Sequence, residues 1–402
     1  MKTLFVSPDF KPDPGGIAEL YLNLLARFPR GSVEVSTVRA PDGWRDELPF
    51  PVRRMPFGFR ESSRIQNVAR WTLRARRHAR ECGAEVVQVG TLRPAGAVGA
   101  WLRRTAGLPY IVYVHGKDVL KERRKVGRST LYRTTARDVL AGAAAVIANS
   151  RYTADLVREL ARAAGAPGAA ARVHVVHPGA DPVRFQPGDQ GVAEMRARLG
   201  LGDARVALTV GRLEARKGAD RMLEAVAILA PELPHLVCVV AGEGPHRAVL
   251  ETRAAAYDLR GRVRFAGPVA DGDLPALYRA ADVFLLPSRR VGADEVEGFG
   301  IVLCEASASG KPVIGGRAGG VPEAVIEDET GLLVDPDDPR AIAEALRAVL
   351  TDGTLATRLG EGGRRAVLSY FNWDRAAGEA WAIACEASRE RPWPAASRKA
   401  AS

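Results

Sequence analysis

Only four cysteines occur in the 402 residues, Cys82, Cys238, Cys304 and Cys385, and no two share a paired spacing. That scatter argues against a disulfide framework, and reduced thiols in a cytosolic protein are expected. Long apolar runs are missing too. The longest clearly apolar stretch, Val139 to Ala148, falls far short of the roughly 20 residues that span a bilayer. No secretory leader is expected, because the run Leu4 to Val6 stops at Ser7-Pro8. The first loop, Ser7 to Gly16, lacks both the Gly-Lys-Ser/Thr of a Walker loop and the three-glycine spacing of a dinucleotide fingerprint. Metal-ligand patterns are also thin. Asp271-Gly-Asp273 and Asp335-Pro-Asp337 each precede a helical pattern, where Asp is a favoured N-cap. His174 and His177 alternate along a strand into a turn without further ligands nearby. No metal site is expected.

What is present is ample apolar material and an uneven charge. The hydrophobic fraction of 47% over 402 residues suffices for two cores. The net charge of +11 sits in one half. Residues 1–170 hold 29 Lys and Arg against 15 Asp and Glu, whereas the remainder holds 29 against 32. Such asymmetry points to an acidic acceptor, an anionic membrane surface or nucleic acid. No nucleic-acid recognition motif supports the last, and no nucleic-acid partner is expected.

Strand-like and helix-like segments alternate throughout, the signature of an α/β chain with parallel sheets. Strands are predicted at 2–6, 33–38, 85–89, 110–114 and 144–148, then at 206–210, 236–241, 263–265 and 283–286. Pro182, Pro187 and Gly188 punctuate a boundary, giving domains 1–187 and 188–370. An amphipathic stretch follows within 371–390, and 391–402 reads as a disordered tail. Two basic segments stand out. Arg64 to Arg80 includes Arg70, Arg74 and Arg77 with apolar residues interleaved, and Lys117 to Arg133, read as a loop, includes Lys121 and Arg124. They suit a membrane interface or the acceptor, or are solvated charged faces.

Two clusters carry chemistry. After the apolar strand ending at Pro287, Glu297-Gly298-Phe299-Gly300-Ile301 leads into a helix bearing Glu305. Glycines at a strand-to-helix junction let amides approach a ligand, and a helix N-terminus favours an anion. Glu305 sits among Ile301, Val302, Leu303, Cys304 and Ala306, so its carboxylate needs donors, such as ribose hydroxyls. On these residues alone Glu297 could instead be a solvated loop residue and Glu305 a partner for an arginine. The second cluster, Gly211-Arg212-Leu213-Glu214-Ala215-Arg216-Lys217-Gly218, follows a strand end, where ligands bind in open α/β sheets. Arg212 and Lys217 suit a diphosphate, although surface charges in a βα loop read the same. His115 ends another apolar strand, as a structural or a functional histidine.

Together these segments resemble the family 4 retaining glycosyltransferases of the GT-B fold, over nearly the whole chain. Gly15-Gly16, His115, His177 to Phe185, Gly242-Glu-Gly-Pro245 and the glutamates Glu297 and Glu305 carry the likeness. The run 288–297 is most similar to mannosyltransferases that build phosphatidylinositol mannosides. The resemblance implies two Rossmann-like domains facing across a cleft, with the 371–390 helix crossing back to the first. It implies metal-independent transfer from a nucleotide-sugar, GDP-mannose or a UDP-sugar, to a hydroxyl acceptor, with no other cofactor. Arg212 and Lys217 would neutralise the leaving diphosphate with amides around Phe299–Ile301. Glu297 would hold the sugar, Glu305 the ribose, and His115 the sugar or acceptor. Gly16, Gly211, Gly267 and Val269 would line the donor. An anionic lipid-linked acceptor on the inner face of the plasma membrane fits the basic half. An epimerase of the same fold and a silent membrane-docking homologue are the alternatives.

Overall fold

The computed structural model describes residues 1–13 and 15–390. The expected tail, Arg391 to Ser402, lies outside them. Two compact units emerge, Met1–His177 together with the chain from Trp373, and Pro178–Asn372. The division falls at His177/Pro178 and again at Asn372/Trp373, where 187/188 and 370/371 were expected.

The first unit is a parallel sheet of seven strands, β1 (Thr3–Val6), β2 (Val33–Thr37), β3 (Val52–Arg54), β4 (Val86–Val89), β5 (Tyr110–Val114), β6 (Ala145–Ala148) and β7 (Val173–Val175). Their order is β3-β2-β1-β4-β5-β6-β7. Strands β1, β4, β5 and β6 are buried at every position, as expected of strands covered on both faces. The helix Trp373–Ser388 packs within this unit. Arg27 Nε donates to Asp374 Oδ1 at 2.9 Å, and the Phe28 and Trp381 rings lie 5.1 Å apart.

The second unit has six parallel strands, β8 (Arg205–Val210), β9 (Leu236–Ala241), β10 (Val263–Gly267), β11 (Val283–Leu286), β12 (Val313–Gly316) and β13 (Gly331–Val334), ordered β10-β9-β8-β11-β12-β13. Apolar clusters cover both faces. Leu208, Val239 and Phe284 belong to one, Ala207, Cys238 and Leu285 to the other, in the period-two alternation of a strand.

The basic segment read as a loop is a helix, Lys117–Val126. Val119, Leu120 and Val126 are buried, and Glu122 is buried against Arg93 at 2.7 Å, so the charges ride on an amphipathic helix. The Asp-x-Asp pairs do not cap with their own side chains. Asp338 caps the helix Pro339–Thr351 by accepting from the Arg340 amide at 2.9 Å, while Asp273 pairs with Arg198 at 2.8 Å. Among the described residues no two cysteines are joined, and no helix is long and apolar enough to cross a membrane.

Candidate active site

In the second unit β8 ends at Val210 and the chain turns through residues 211–218 into the helix Ala219–Leu229. Ala215–Lys217 form a single 3₁₀ turn, closed by Lys217 N donating to Glu214 O at 2.9 Å. Gly218 has φ +74, and a Cβ there would lie 1.9 Å from the Pro287 carbonyl. Only glycine allows this approach, which seats the turn against the end of β11. Arg289 N donates to Arg216 O at 2.9 Å, a second tie between the same two segments.

That seating brings together side chains distant in sequence. Lys217 Nζ lies 2.5 Å from Glu297 Oε2, and Arg216 Nη1 lies 2.6 Å from the same oxygen. All three side chains are mostly withdrawn from solvent, with 14–16% exposure. Arg216 also binds Glu214 at 2.8 Å. Burial tends to raise the Glu297 carboxyl, but the Lys217 and Arg216 cations outweigh it and hold it down to about 2. Burial likewise opposes the Arg216 charge, and Glu297 and Glu214 more than restore it. Glu297 is therefore a fixed anion locked to two cations, and not a solvated loop residue. Arg212 stands outside this triad, 70% exposed, with its Nε 3.6 Å from Glu214.

Past Glu297 the chain passes Gly298 and Phe299 to Gly300, whose φ of +102 starts the helix Ile301–Ala308. Phe299 is buried in the apolar core, its ring 6.1 Å from that of Phe371. Glu305 Oε2 accepts a 2.6 Å hydrogen bond from the hydroxyl of Tyr278, a buried residue of the helix Leu274–Ala280. A tyrosine is thus one partner of the carboxylate. Burial and the neighbouring Glu305 push the Tyr278 hydroxyl well above its usual range, so it stays a donor. At the end of β10, Gly267 O accepts the Gly242 amide at 2.7 Å, and Val269 packs on the core.

The family assignment follows from comparison with known proteins. The profile described as Glycosyl transferases group 1 matches residues 192–366, and that described as Glycosyltransferase Family 4 matches residues 14–184. A Mycobacterium tuberculosis GDP-mannose-dependent alpha-(1-6)-phosphatidylinositol monomannoside mannosyltransferase is 32% identical over 378 residues, 93% of this chain and 95% of that protein. The chain belongs to glycosyltransferase family 4. A D-inositol 3-phosphate glycosyltransferase of Streptomyces avermitilis is 38% identical over 63% of this chain and 54% of its own length. Sucrose-phosphate synthase from Thermosynechococcus elongatus superposes with TM-score 0.79 at 24% identity, covering 97% of this chain and 100% of that one. Anabaena HepE, solved in complex with UDP, gives 0.80 at 21%, covering 96% and 100%. These likenesses establish the GT-B fold.

The remaining expected residues of this family 4 glycosyltransferase lie in the first unit. His115, just after β5, is buried; its Nε2 sits 2.5 Å from the Tyr21 hydroxyl and its amide donates to Asp118 Oδ1 at 2.9 Å. Burial lowers the His115 pKa, with Asp118 opposing, which favours the neutral imidazole. Gly16 is exposed at the start of the helix Gly16–Ala26. Arg70, Arg74, Arg77, Lys121 and Arg124 are exposed, Arg77 pairing with Glu81 at 2.7 Å. Sequence reasoning passed over Arg216, Tyr278 and Tyr21. The signal for Arg216 was present, since it adjoins Lys217 in the same turn; Tyr278 and Tyr21 carry none outside the folded chain.

Proposed function

We propose that this enzyme transfers mannose from GDP-mannose to a hydroxyl of an anionic, inositol-containing lipid, with retention of configuration and without a metal ion. The observation that carries this reading is 32% identity, over 93% of the chain, to a mannosyltransferase of that donor and acceptor type. Lys217 and Arg212 neutralise the departing diphosphate, and Arg216, bound to Glu297, adds to the positive field. Stabilising charge as it develops is usually the largest catalytic contribution. Glu297, kept ionised by its two cations, accepts hydrogen bonds from sugar hydroxyls and supports positive charge at the anomeric carbon. Glu305 takes the ribose hydroxyls alongside its tyrosine. The donor phosphate accepts the acceptor's proton, so no protein nucleophile is needed, and His115 orients the sugar or the acceptor. The exposed arginines of 70–77 and the helix Lys117–Val126 attract the anionic headgroup and the inner leaflet.

The test incubates purified protein with EDTA and GDP-mannose or UDP-glucose, in the presence of phosphatidylinositol monomannoside vesicles, inositol phosphate, or neither. Mannosylated lipid with an α-anomeric signal in EDTA supports the reading. Transfer to inositol phosphate alone moves the acceptor to a soluble one. Donor turnover without acceptor favours the epimerase, and no turnover of any kind favours a silent docking homologue.

A further inference from the structure

Three potential metal ligands converge in the first unit, away from the strand ends that carry His115 and the first loop. Glu34 is the second residue of β2, and His78 and Cys82 lie four apart on the helix Ile65–Cys82, on one face of it. Because the strands run parallel, the start of β2 is at the opposite edge of the sheet from the end of β5. Glu34 Oε2 lies 2.7 Å from His78 Nε2. The carboxylate, imidazole and thiol ligand atoms all lie within 4.8 Å of one another. His78 is 2% exposed and its Nδ1 has no hydrogen-bond partner, while Glu34 and Cys82 are half-buried. The Cys82 thiol makes a weak 3.6 Å contact to the Ala79 carbonyl. The neighbouring cation Arg53, 4.0 Å from Glu34, is hydrogen-bonded to Glu81, a carboxylate it shares with Arg77, so a positive charge stands beside the trio's acidic ligands.

We infer that Glu34, His78 and Cys82 form a binding site for a divalent cation of the zinc class, with water in the fourth position. A thiolate, an imidazole and a carboxylate are the donors a borderline-soft ion takes, and they are a poor set for magnesium or calcium. The two negative ligands balance the charge of the ion. On binding, Cys82 releases its thiol proton to solvent, and the Glu34–His78 hydrogen bond gives way to two bonds to the metal. Tetrahedral zinc–ligand bonds of about 2.0–2.3 Å set ligand atoms more than about 3 Å apart, so Glu34 Oε2 and His78 Nε2 separate from their 2.7 Å contact as the ion enters. The ion would clip β2 to the last turn of the helix, as a structural site separate from glycosyl transfer.

Full-length protein stripped with EDTA and titrated with Zn²⁺, with Co²⁺ as the spectroscopic probe, tests this. One equivalent should bind, Co²⁺ should show a thiolate charge-transfer band, and the melting temperature should rise. Zn²⁺ should shield Cys82 from alkylation in peptide mapping, while half-buried Cys385 reacts unchanged. Cys82→Ser should abolish the band, and Glu34→Gln should weaken Zn²⁺ binding by about tenfold or more. Cys82→Ser should retain transferase activity, which also reports that it folds. Absence of the band, equal Zn²⁺ uptake by Cys82→Ser, or Mg²⁺ binding as tightly as Zn²⁺ would each overturn the assignment.

Discussion

Glu297 in the second unit and Asp9 in the first are both withdrawn from water, yet their carboxyls move in opposite directions. Glu297 is held down to about 2, against burial, by Lys217 and Arg216. Asp9 is pushed up to about 7, first by burial and then by Asp118 and Asp13, with only Lys121 opposing. Burial alone does not decide; the first partner does. The comparison also separates net charge from local charge. Residues 1–170 carry the basic excess, 29 Lys and Arg against 15 acids, but those cations lie mainly at the surface. The near-neutral remainder instead sets two cations, Arg216 and Lys217, against Glu297 in a part-buried triad at the end of a turn. The first unit thus presents a positive surface, with burial raising the Asp9 carboxyl and lowering the His115 imidazole beneath it. The second presents a preformed ionic site.

The largest expected effect comes from breaking the triad. Lys217→Ala should lower turnover at least about a hundredfold, since in the proposed mechanism it removes a cation from where leaving-group charge develops. A variant with near-wild-type rates and an intact fold would break the assignment. Arg216→Gln should cost about tenfold or more in kcat/KM, the scale of one charged hydrogen bond of about 1.5–3 kcal/mol. An unchanged value would make Arg216 a purely structural neighbour.

Smaller effects sharpen the contrast. Tyr278→Phe removes the hydroxyl that answers Glu305. It should raise the donor KM by about fivefold, the scale of a neutral hydrogen bond near 1 kcal/mol, and leave kcat nearly unchanged; a fall in kcat alone would contradict a ribose-side role. Asp9→Asn should raise the melting temperature at pH 8 and change it little below pH 4. The sign follows from linkage. With its pKa raised from 3.8 to about 7 in the fold, Asp9 contributes stability that is complete below pH 3.8 and lost as pH rises through 7. Glu297 runs the other way, its contribution present above its ordinary 4.5 and lost as pH falls towards 2. A pH-independent Asp9→Asn shift would refute the raised Asp9 carboxyl.

Much of this architecture was legible before folding. The spans of β5, β9 and β11 match those predicted, and the helix Trp373–Ser388 falls within the predicted 371–390 stretch, because each is apolar on the buried side and bounded by Gly, Pro or polar residues. Strands β3, β12 and β13 escaped. Each has only three or four residues; β3 holds Arg53 and Arg54, and β12 ends in Gly315-Gly316, so neither shows a strand's composition. Glu297, Glu305 and Lys217 were legible from local spacing. Their partners were not, since Arg216 meets Glu297 across 81 residues and Tyr278 meets Glu305 across 27. Such meetings depend on the register of β8 against β11 and on Gly218 seating the turn.

The most direct test of the ionic donor site is a thermal-shift titration of GDP, in EDTA, on wild-type protein and on Lys217→Ala. A ligand at about 100 times its dissociation constant stabilises a fold by about 2.7 kcal/mol, enough to read. A clear GDP-dependent rise is expected for the wild type, and its loss in the folded variant. Equal rises in both proteins, or no rise in either, would rule out a GDP site built on Lys217.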